Sequence, residues 1–467
     1  MHCKGIAKFK YLRFVVLALS SLLLVGGYYS YDNPAYLNLL LQDWMKTDSK
    51  SHQYQIASFY TAYSIPNIVL PFFGGMMVDK WGNRKLIISF SLIVCAGQLM
   101  FAVATAYRSF IFMLLGRILL GIGLESLGVA QTTFITSWFR GQECAFALGI
   151  VLSVSRFGNV LNDNLTPYVA SRFNVPISLF VSFILCIFSF ISGLFLIAID
   201  WAVKEYNKST SPRSIASTRD EDEKSTTEST TESKYSTYFS QVKNLNSTFW
   251  LSCLCVICYY GATTPFNNIS SQLLQAKWKV DPEEAGSLMS ITDTLSAISV
   301  PFFGLVFDNY GFRSVTMIIS GVFIGLFHCL ISFTHFHPSL PLTILGLCYG
   351  MFASSFWSSI SLLVPPSTLA SAYGIATGAL NGSLSIAPLF VAYLVSYDYT
   401  YAAVEMAFLI IIVFGTILAI IIRLLDKGND NVLDKPEKCM KIEHEIDETE
   451  NLLTERCLSL NTHLWNR

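Results

Sequence analysis

Two charged residues of opposite sign stand inside long apolar stretches and could together hold a small zwitterion. Glu125 lies in the stretch 109–136, and Arg156 lies in the stretch 142–168. At 1.5 Å per helical residue, Glu125 lies roughly 24 Å and Arg156 roughly 21 Å from the start of its helix, so both fall near the middle. A carboxylate accepts hydrogen bonds from an ammonium group, and a guanidinium binds a carboxylate through two parallel bonds. The alternative is an ion pair between them that joins their helices.

Three further ionisable residues lie inside or beside apolar stretches, where a charge is costly and indicates function. Arg117 is expected to be a structural or a gating group. Asp293 is compatible with a polar contact to a neighbouring helix, with substrate binding or with proton coupling. Asp32 precedes Asn33-Pro34, a pattern that favours a helix-capping role.

These residues must be positioned by membrane-spanning helices. Hydrophobic residues form 52% of the 467 residues and charged residues only 13%, whereas soluble domains carry about 25% charged residues. Mean hydropathy is +0.49. We therefore predict an all-α membrane protein with twelve transmembrane helices. The predicted spans are 12–31, 54–78, 86–106, 109–136, 142–168, 177–200, 247–269, 285–307, 315–335, 341–364, 371–396 and 402–424. A cleaved signal peptide is the alternative for the first span, but no small-residue cleavage site follows it.

Composition also excludes several classes of function. The net charge of −1 and the lack of a basic stripe argue against nucleic acid as a partner. No nucleophile–base constellation or phosphate loop predicts an enzyme, and we expect no cofactor. Cys253, Cys255 and Cys258 fall within one apolar stretch, so we interpret them as small hydrophobic residues rather than metal ligands.

A polar, Ser/Thr-rich segment divides the chain into two six-helix halves. We predict an N-terminal bundle at 1–203, a disordered linker at 204–245, a C-terminal bundle at 246–426 and a polar tail at 427–467. Cations cluster in the N-terminal segment and in the connection after the second span, which places both termini and the linker in the cytosol.

The two halves repeat each other at a nearly constant offset. Asp79 precedes Gly82 and Arg84 by the same spacing as Asp308 precedes Gly311 and Arg313. The glycines permit tight turns, and the charges could pair when the halves close. Gly75, Asp79, Gly82, Arg84, Asp308, Gly311 and Arg313 are therefore candidate gating residues, with Arg84 expected to pair with Asp79. A simple positive-inside loop is the alternative. By the same repeat, Asn381 corresponds to Arg156.

Several motifs resemble the major facilitator superfamily, and within it a branch of lysosomal transporters that release dipeptides to the cytosol. The D-x-x-G-x-R loop resembles the superfamily signature. The motifs typical of the branch are Tyr31-Asp32-Asn33-Pro34-Ala35, Glu125-Ser126-Leu127 with Val129-Ala130-Gln131, Ser155-Arg156-Phe157-Gly158, Cys258-Tyr259-Tyr260 and Ala372-Tyr373-Gly374. The resemblance covers about residues 20 to 425. It departs on the tenth helix, where Ser358 and Ser359 stand in place of a proline and an apolar residue.

This resemblance implies a major facilitator fold, in which two halves rock about a midplane site. It also implies Glu125 and Arg156 as substrate-binding residues, with Tyr259, Trp357 and Asn381 as further candidates. Packing is the alternative for the aromatic residues. Members of the branch work with a glycosylated lysosomal membrane protein. The chain's own sequons at Asn164 and Asn268 lie close to the membrane.

The tail carries an acidic dileucine motif, E-x-x-x-L-L, formed by Glu448, Leu452 and Leu453. We expect it to direct the protein to the lysosomal membrane, and an amphipathic tail segment is the alternative. Two other functions stay open from the sequence. One is transport of another small organic solute, proton-coupled or not. The other is a non-transporting receptor or scaffold with the same fold.

Overall fold

The computed structural model describes residues 11–139, 142–210, 245–365, 368–397, 401–428 and 431–436. These residues form helices joined by short connections, and their order matches the twelve predicted spans. We number the passes α1 to α12. Two of them, α1 and α2, consist of more than one helical segment.

Pass α1 comprises Leu12–Leu22, Val25–Tyr31, Asn33–Tyr36 and Asn38–Met45, and α2 comprises Ser49–Asn67 and Leu70–Trp81. The other helices of the first half are α3 (Asn83–Ala106), α4 (Phe110–Trp138), α5 (Gln142–Arg172) and α6 (Val175–Thr210). The second half contains α7 (Ser247–Trp278), α8 (Pro282–Tyr310), α9 (Arg313–Phe333), α10 (Ser339–Leu363), α11 (Leu369–Tyr397) and α12 (Ala402–Lys427).

Ten of these passes are long and apolar enough to cross a membrane by length and composition, and α2 and α5 are the two that fall short. Pass α2 is interrupted between Asn67 and Leu70, in part because Pro71 has no N–H group to bond to the carbonyl of Asn67. Helix α5 carries buried polar side chains along its middle, including Asn162 and Asp163. Both α2 and α5 pack against helices of the other half. Polar residues on them such as Asn162 and Asp163 are therefore buried within the protein rather than exposed to lipid.

Backbone geometry repeats between the halves. Lys46 ends α1 and Lys279 ends α7, each in the left-handed conformation. Asp48 and Asp281 then cap the next helices, each accepting a backbone N–H bond three residues on. Each pair is separated by the same 233 positions (279 − 46 and 281 − 48). The repeat seen in the sequence is thus also a repeat of helix ends.

Two predicted boundaries differ in the structure. Helix α6 continues to Thr210, seven residues into the predicted linker. Beyond α12, Val432–Asp434 forms a short 3-10 helix that packs back on the second half, so the first part of the predicted tail is structured. Residues 211–244 and 437–467 lie outside the described residues.

The halves meet through α5 against α8 and α2 against α11. Two glycines permit the close approach. A β-carbon at Gly286 of α8 would overlap the carbonyl oxygen of Asp163 on α5, and one at Gly378 of α11 would lie 2.5 Å from the carbonyl oxygen of Ile68. We call the end of the bundle at which α1 begins and α6 ends the linker side, and the other end the opposite side.

Candidate functional site

The break in α1 places backbone polar groups in the middle of the first half. Pro34 has no N–H group to bond to the carbonyl of Ser30, so the helix is interrupted at Asp32. Arg117 of α4 donates to that carbonyl at 3.1 Å and to the carbonyl of Tyr31 at 2.8 Å. It also donates to the carbonyl of Phe59 on α2 at 3.4 Å.

Arg117 is completely buried, and its guanidinium lies 5.4–5.8 Å from the ring centres of Tyr31, Tyr60, Tyr63 and Phe101. A buried guanidinium needs such partners because its desolvation is costly. Of the two predicted roles of Arg117, structural and gating, these contacts support the structural one. Arg117 joins α1, α2 and α4 at the break in α1.

The predicted capping role of Asp32 is wrong. Its side chain makes no capping hydrogen bond at either neighbouring helical segment. Asn33 instead fixes the break, donating to Asn162 of α5 at 2.7 Å and accepting from Gln98 of α3 at 3.2 Å. Asp32 is left to face a cavity between the halves.

This central cavity has a volume of about 80 Å³. Three ionisable side chains line it: Asp32 and Arg156 from the first half and Asp293 from the second. The other lining residues are Tyr31, Asn159, Thr264, Asn267, Ser296 and Tyr349. The cavity is therefore polar, charged and formed by both halves, as a site for a charged polar solute requires.

Arg156 reaches from α5 into the second half. It donates to the hydroxyl of Ser296 on α8 at 3.4 Å, and its guanidinium lies 5.3 Å from the ring centre of Tyr349 on α10. Asp293 lies one turn before Ser296, whose hydroxyl bonds to the Asp293 carbonyl, and one oxygen of the Asp293 carboxylate has no hydrogen-bond partner. Among the described residues, Arg156 forms no ion pair.

Glu125 lies beside the cavity rather than in its lining. It accepts a hydrogen bond from Tyr63 at 3.0 Å, and the Tyr63 ring packs edge-on against the cavity residue Tyr31 at 4.7 Å. Tyr28 lies within electrostatic reach of both Glu125 and Arg156. Among the described residues, Glu125 and Arg156 do not form an ion pair with each other.

An aromatic row extends from the cavity into the second half. Tyr349 packs edge-on against Tyr260 at 5.5 Å, and the Tyr260 hydroxyl accepts a hydrogen bond from Trp357 at 3.1 Å. Trp357 stacks on Tyr373 at 6.1 Å. The predicted residue Trp357 is thus connected to the cavity through Tyr260.

Tyr259, the other predicted aromatic residue, is outside the site. Its side chain is 1% exposed, stacks on Phe352 at 3.8 Å and donates to the carbonyl of Met317 on α9 at 2.7 Å. Neighbouring residues of a helix point about 100° apart, so Tyr259 and Tyr260 cannot both face the cavity. These contacts favour the packing alternative for Tyr259, and its role as a substrate contact stays a prediction.

Asn381 occupies the position on α11 that corresponds to Arg156 on α5. Its amide nitrogen donates to the carbonyl of Thr377 at 3.0 Å, and its buried amide oxygen has no partner. It does not line the central cavity. Its role as a substrate contact stays a prediction.

Sequence reasoning missed two buried acidic residues. Asp163 of α5 is fully buried near Asp32 and Asp293. Glu405 of α12 bonds to His328 of α9 at 2.7 Å, with both side chains buried. A count of acidic residues within the predicted spans would have found both, since each falls inside one.

The candidate gating residues are only partly described. Gly82 and Gly311 have φ of 78° and 74°, as the predicted tight turns require. Arg84 does pair with a carboxylate, but the described partner is Asp200 of α6, at 2.6 Å. Asp200 also accepts from Trp138 at 3.2 Å. The surroundings of Gly75 and the side chains of Asp79 and Asp308 are outside what the structure describes, and the sorting residues Glu448, Leu452 and Leu453 lie outside the described residues.

Arg313 is anchored inside the second half. It donates to the hydroxyl of Ser358 at 3.2 Å and to the carbonyl of Lys435 at 3.3 Å. Asp434 of the 3-10 helix accepts from the backbone and the hydroxyl of Ser314, at 2.9 and 2.7 Å. The turn between α8 and α9 is therefore tied to the segment that follows α12.

Polar contacts between described residues join the halves on the opposite side. Ser171 donates to Glu283 at 2.7 Å, and Ser287 donates to Asn164 at 3.3 Å, both between α5 and α8. Arg172 lies 4.0 Å from Glu283. Between α2 and α7, Gln53 donates to Gln272 at 2.8 Å. These contacts close the opposite side of the central cavity.

Comparison with known proteins shows the family of the chain. A family model described as Major Facilitator Superfamily matches the chain over residues 17–264 and again over 251–443. The chain is 29% identical to the lysosomal dipeptide transporter MFSD1 of Bos taurus, covering 93% of this chain and 90% of the relative. The figures for the MFSD1 proteins of Mus musculus and Homo sapiens are also 29%, with 92% of this chain and 91% of the relative covered.

Proposed function

The chain belongs to the major facilitator superfamily, and on that basis we propose that it carries dipeptides across the lysosomal membrane into the cytosol by alternating access. The superfamily and the names of the relatives indicate a membrane carrier rather than an enzyme. The dipeptide substrate is supported by those relatives together with the chemistry of the central cavity. The observation that carries the proposal is Arg156, a half-buried cation of one half in a polar cavity that both halves line.

A dipeptide is a zwitterion whose ammonium and carboxylate groups are separated by one peptide bond. Arg156 can bind the carboxylate through two parallel hydrogen bonds, and Glu125 can accept from the ammonium group. Because both contacts are made to the ends of the peptide backbone, many side chains would be accepted. Among the described residues, Glu125 and Arg156 form no ion pair with each other, which supports separate roles in binding the two ends of the peptide.

The lining of the cavity supports a closed conformation of the carrier. Side chains of both halves surround it, and polar contacts between α5 and α8 and between α2 and α7 lie on its opposite side. The halves must therefore move apart on one side to admit substrate. Rocking of the halves about α2–α11 and α5–α8 would open it to one side at a time.

We propose that the linker side is cytosolic and the opposite side luminal, following the bias of cations in the sequence. The dileucine motif of the tail would then face the adaptor proteins of the cytosol. Replacing Leu452 and Leu453 by Ala should shift the protein from lysosomes to the cell surface. Unchanged lysosomal staining of that variant would exclude the motif as the sorting signal.

A glycosylated accessory membrane protein remains part of the proposal. The sequon residue Asn268 is 3% exposed within α7, and Thr166 of the Asn164 sequon is fully buried within α5. The Asn268 sequon is therefore inaccessible in the folded chain, whereas Asn164 itself is exposed on α5. With at most one accessible acceptor from these two sequons, further glycans on the luminal face would have to come from a partner.

Uptake of a labelled dipeptide into proteoliposomes tests the proposed function. We expect saturable uptake that an excess of unlabelled dipeptide abolishes, and strong impairment in Arg156→Lys, because lysine cannot form the bidentate contact. Uptake with and without a proton gradient distinguishes uniport from proton coupling. No dipeptide uptake by the purified parent, with uptake of another organic solute, would instead support a carrier of that solute.

A further inference from the structure

The charge of Arg156, a half-buried side chain in the lining of the cavity, must be compensated when no substrate is bound. In the described conformation its polar contacts are Ser296 and Tyr349 of the second half. Both are neutral, and a cation that is largely removed from water is unfavourable without a counter-charge. A neighbouring carboxylate is therefore required to keep the empty cavity closed.

Two carboxylates share the cavity with Arg156, and they differ in position. Asp293 is on α8, in the opposite half, one turn from the Ser296 hydroxyl that Arg156 contacts. It interacts electrostatically with Arg156. Asp32 is in the same half as Arg156, and its cationic neighbour is Arg117. Asp293 is thus the counter-charge that acts between the halves.

The carboxylate of Asp293 is not fully occupied by other partners, as this role requires. It forms no ion pair within the described residues, one carboxylate oxygen lacks a hydrogen bond, and the side chain is 9% exposed. A fixed salt bridge to Arg156 would compete with the substrate carboxylate. A carboxylate facing Arg156 across the cavity balances the charge and can still yield to a ligand.

We propose that Asp293 is a positioning residue that balances Arg156 in the empty carrier and so allows the empty carrier to change conformation. The inference rests on the proposed function, in which Arg156 binds the substrate carboxylate. When substrate is bound, its own carboxylate supplies the counter-charge. Loss of Asp293 should then slow the return of the empty carrier more than the movement of the loaded one.

Transport measured in two modes tests this difference. Net uptake into empty proteoliposomes requires the empty carrier to return, whereas exchange against an internal pool of unlabelled dipeptide does not. For Asp293→Asn we expect net uptake to fall about tenfold and exchange to change by less than about threefold. Asp293→Glu should restore net uptake in part. An equal loss in both modes, or no loss in either, would overturn the proposal.

A second measurement does not depend on the substrate. Ser171→Cys and Glu283→Cys place a thiol on α5 and one on α8 where the opposite side is closed. A short bifunctional thiol reagent would link them in the closed state. Cleavage at a protease site introduced within residues 211–244 then shows on a gel whether the two halves are joined. The matching single-cysteine variants are the controls.

In the empty carrier, Asp293→Asn should lower the cross-linked fraction about threefold or more, because Arg156 disfavours the closed cavity. Adding Arg156→Gln should restore it, since no charge is then left unbalanced. Asp32→Asn is the matched control within the same cavity. Its effect on the cross-linked fraction should be the same in the parent and in the Arg156→Gln background. An effect of Asp293→Asn that is likewise independent of Arg156 would refute the inference. If the parent transports no dipeptide, the proposed function fails while this cross-linking result still decides the role of Asp293.

Discussion

Two arginines within the helices of the first half have different surroundings. Arg117 is buried and bonded to three backbone carbonyl groups that belong to α1 and α2. Arg156 is half-buried, and the contacts that it makes to described residues are with side chains of the other half. A guanidinium held by fixed carbonyls stabilises the fold, whereas one that faces a cavity can exchange partners. Sequence position alone gave no basis for this distinction, because both residues stand in apolar stretches.

Removal of Arg117 should destabilise the protein. In Arg117→Met the carbonyls of Ser30 and Tyr31 lose their donor, and each unsatisfied buried group costs about 1–3 kcal/mol. We expect a lower melting temperature in detergent and a poor yield of folded protein. Arg108→Met is the matched control, since Arg108 is exposed and stacks on Trp44. Equal stability of the two variants would exclude a structural role for Arg117.

The role proposed for Glu125 can be separated from its hydrogen bond to Tyr63. In Glu125→Gln the amide oxygen can still accept a hydrogen bond from Tyr63, but the negative charge of the carboxylate is lost. A hydrogen bond to a charged group contributes about 1.5–3 kcal/mol, so KM for free dipeptides should rise roughly tenfold to a hundredfold.

N-acetylated dipeptides are the control substrates because they have no ammonium group. Their KM should be nearly the same in Glu125→Gln and the parent. If the variant transports free and N-acetylated dipeptides as the parent does, Glu125 does not bind the ammonium group.

At the scale of helices, the sequence predicted the number and order of the passes well and their ends less well. Hydropathy defines the apolar middle of a helix, but α7 continues to Trp278 and α6 to Thr210, beyond the apolar residues. Helix ends depend on local groups such as the Asp48 and Asp281 caps. The break in α1 follows from Pro34, but the donor that satisfies the carbonyls of Ser30 and Tyr31 is Arg117 of another helix, which the sequence did not reveal.

The contact between α5 and α8 should be sensitive to a single methyl group. In Gly286→Ala the new β-carbon overlaps the carbonyl oxygen of Asp163, so closure of the opposite side is hindered. We expect net transport to fall severalfold while the protein still folds, as judged by size-exclusion chromatography. Gly325→Ala is the control, because its β-carbon would meet only ordinary contacts at 3.5 Å or more. Normal transport by Gly286→Ala would show that closure tolerates a wider spacing.

At the scale of the whole molecule, which side chains share the site depended on packing between the halves. The sequence identified Arg156 and Asp293 as separate buried charges, yet it could not show that α5 and α8 bring them to one cavity. It also could not separate Tyr260, which faces the cavity side, from Tyr259, which faces α9. Neighbouring side chains of a helix point about 100° apart, so the rotation of the helix about its axis determines which of them faces the cavity. An apolar stretch in the sequence does not specify that rotation.

The proposed orientation predicts where a protease can act. With the linker in the cytosol, protease added to intact lysosomes should cut within 204–245 and yield two fragments of similar size. Blotting for tags at the two termini would detect them. A linker that is cut only after detergent is added would reverse the orientation.

The short connections on the opposite side have a consequence for survival in a degradative compartment. Among the described residues, the connections between consecutive helices on that side are 46–48, 107–109, 173–174, 279–281 and 334–338. Exposed loop tips are the preferred sites of proteolytic nicking, and connections of two to five residues cannot readily extend into the cleft of a protease. If that side faces the lysosomal lumen, hydrolases there find few places to cut, and the turnover of the protein would be limited by unfolding rather than by accessible loops.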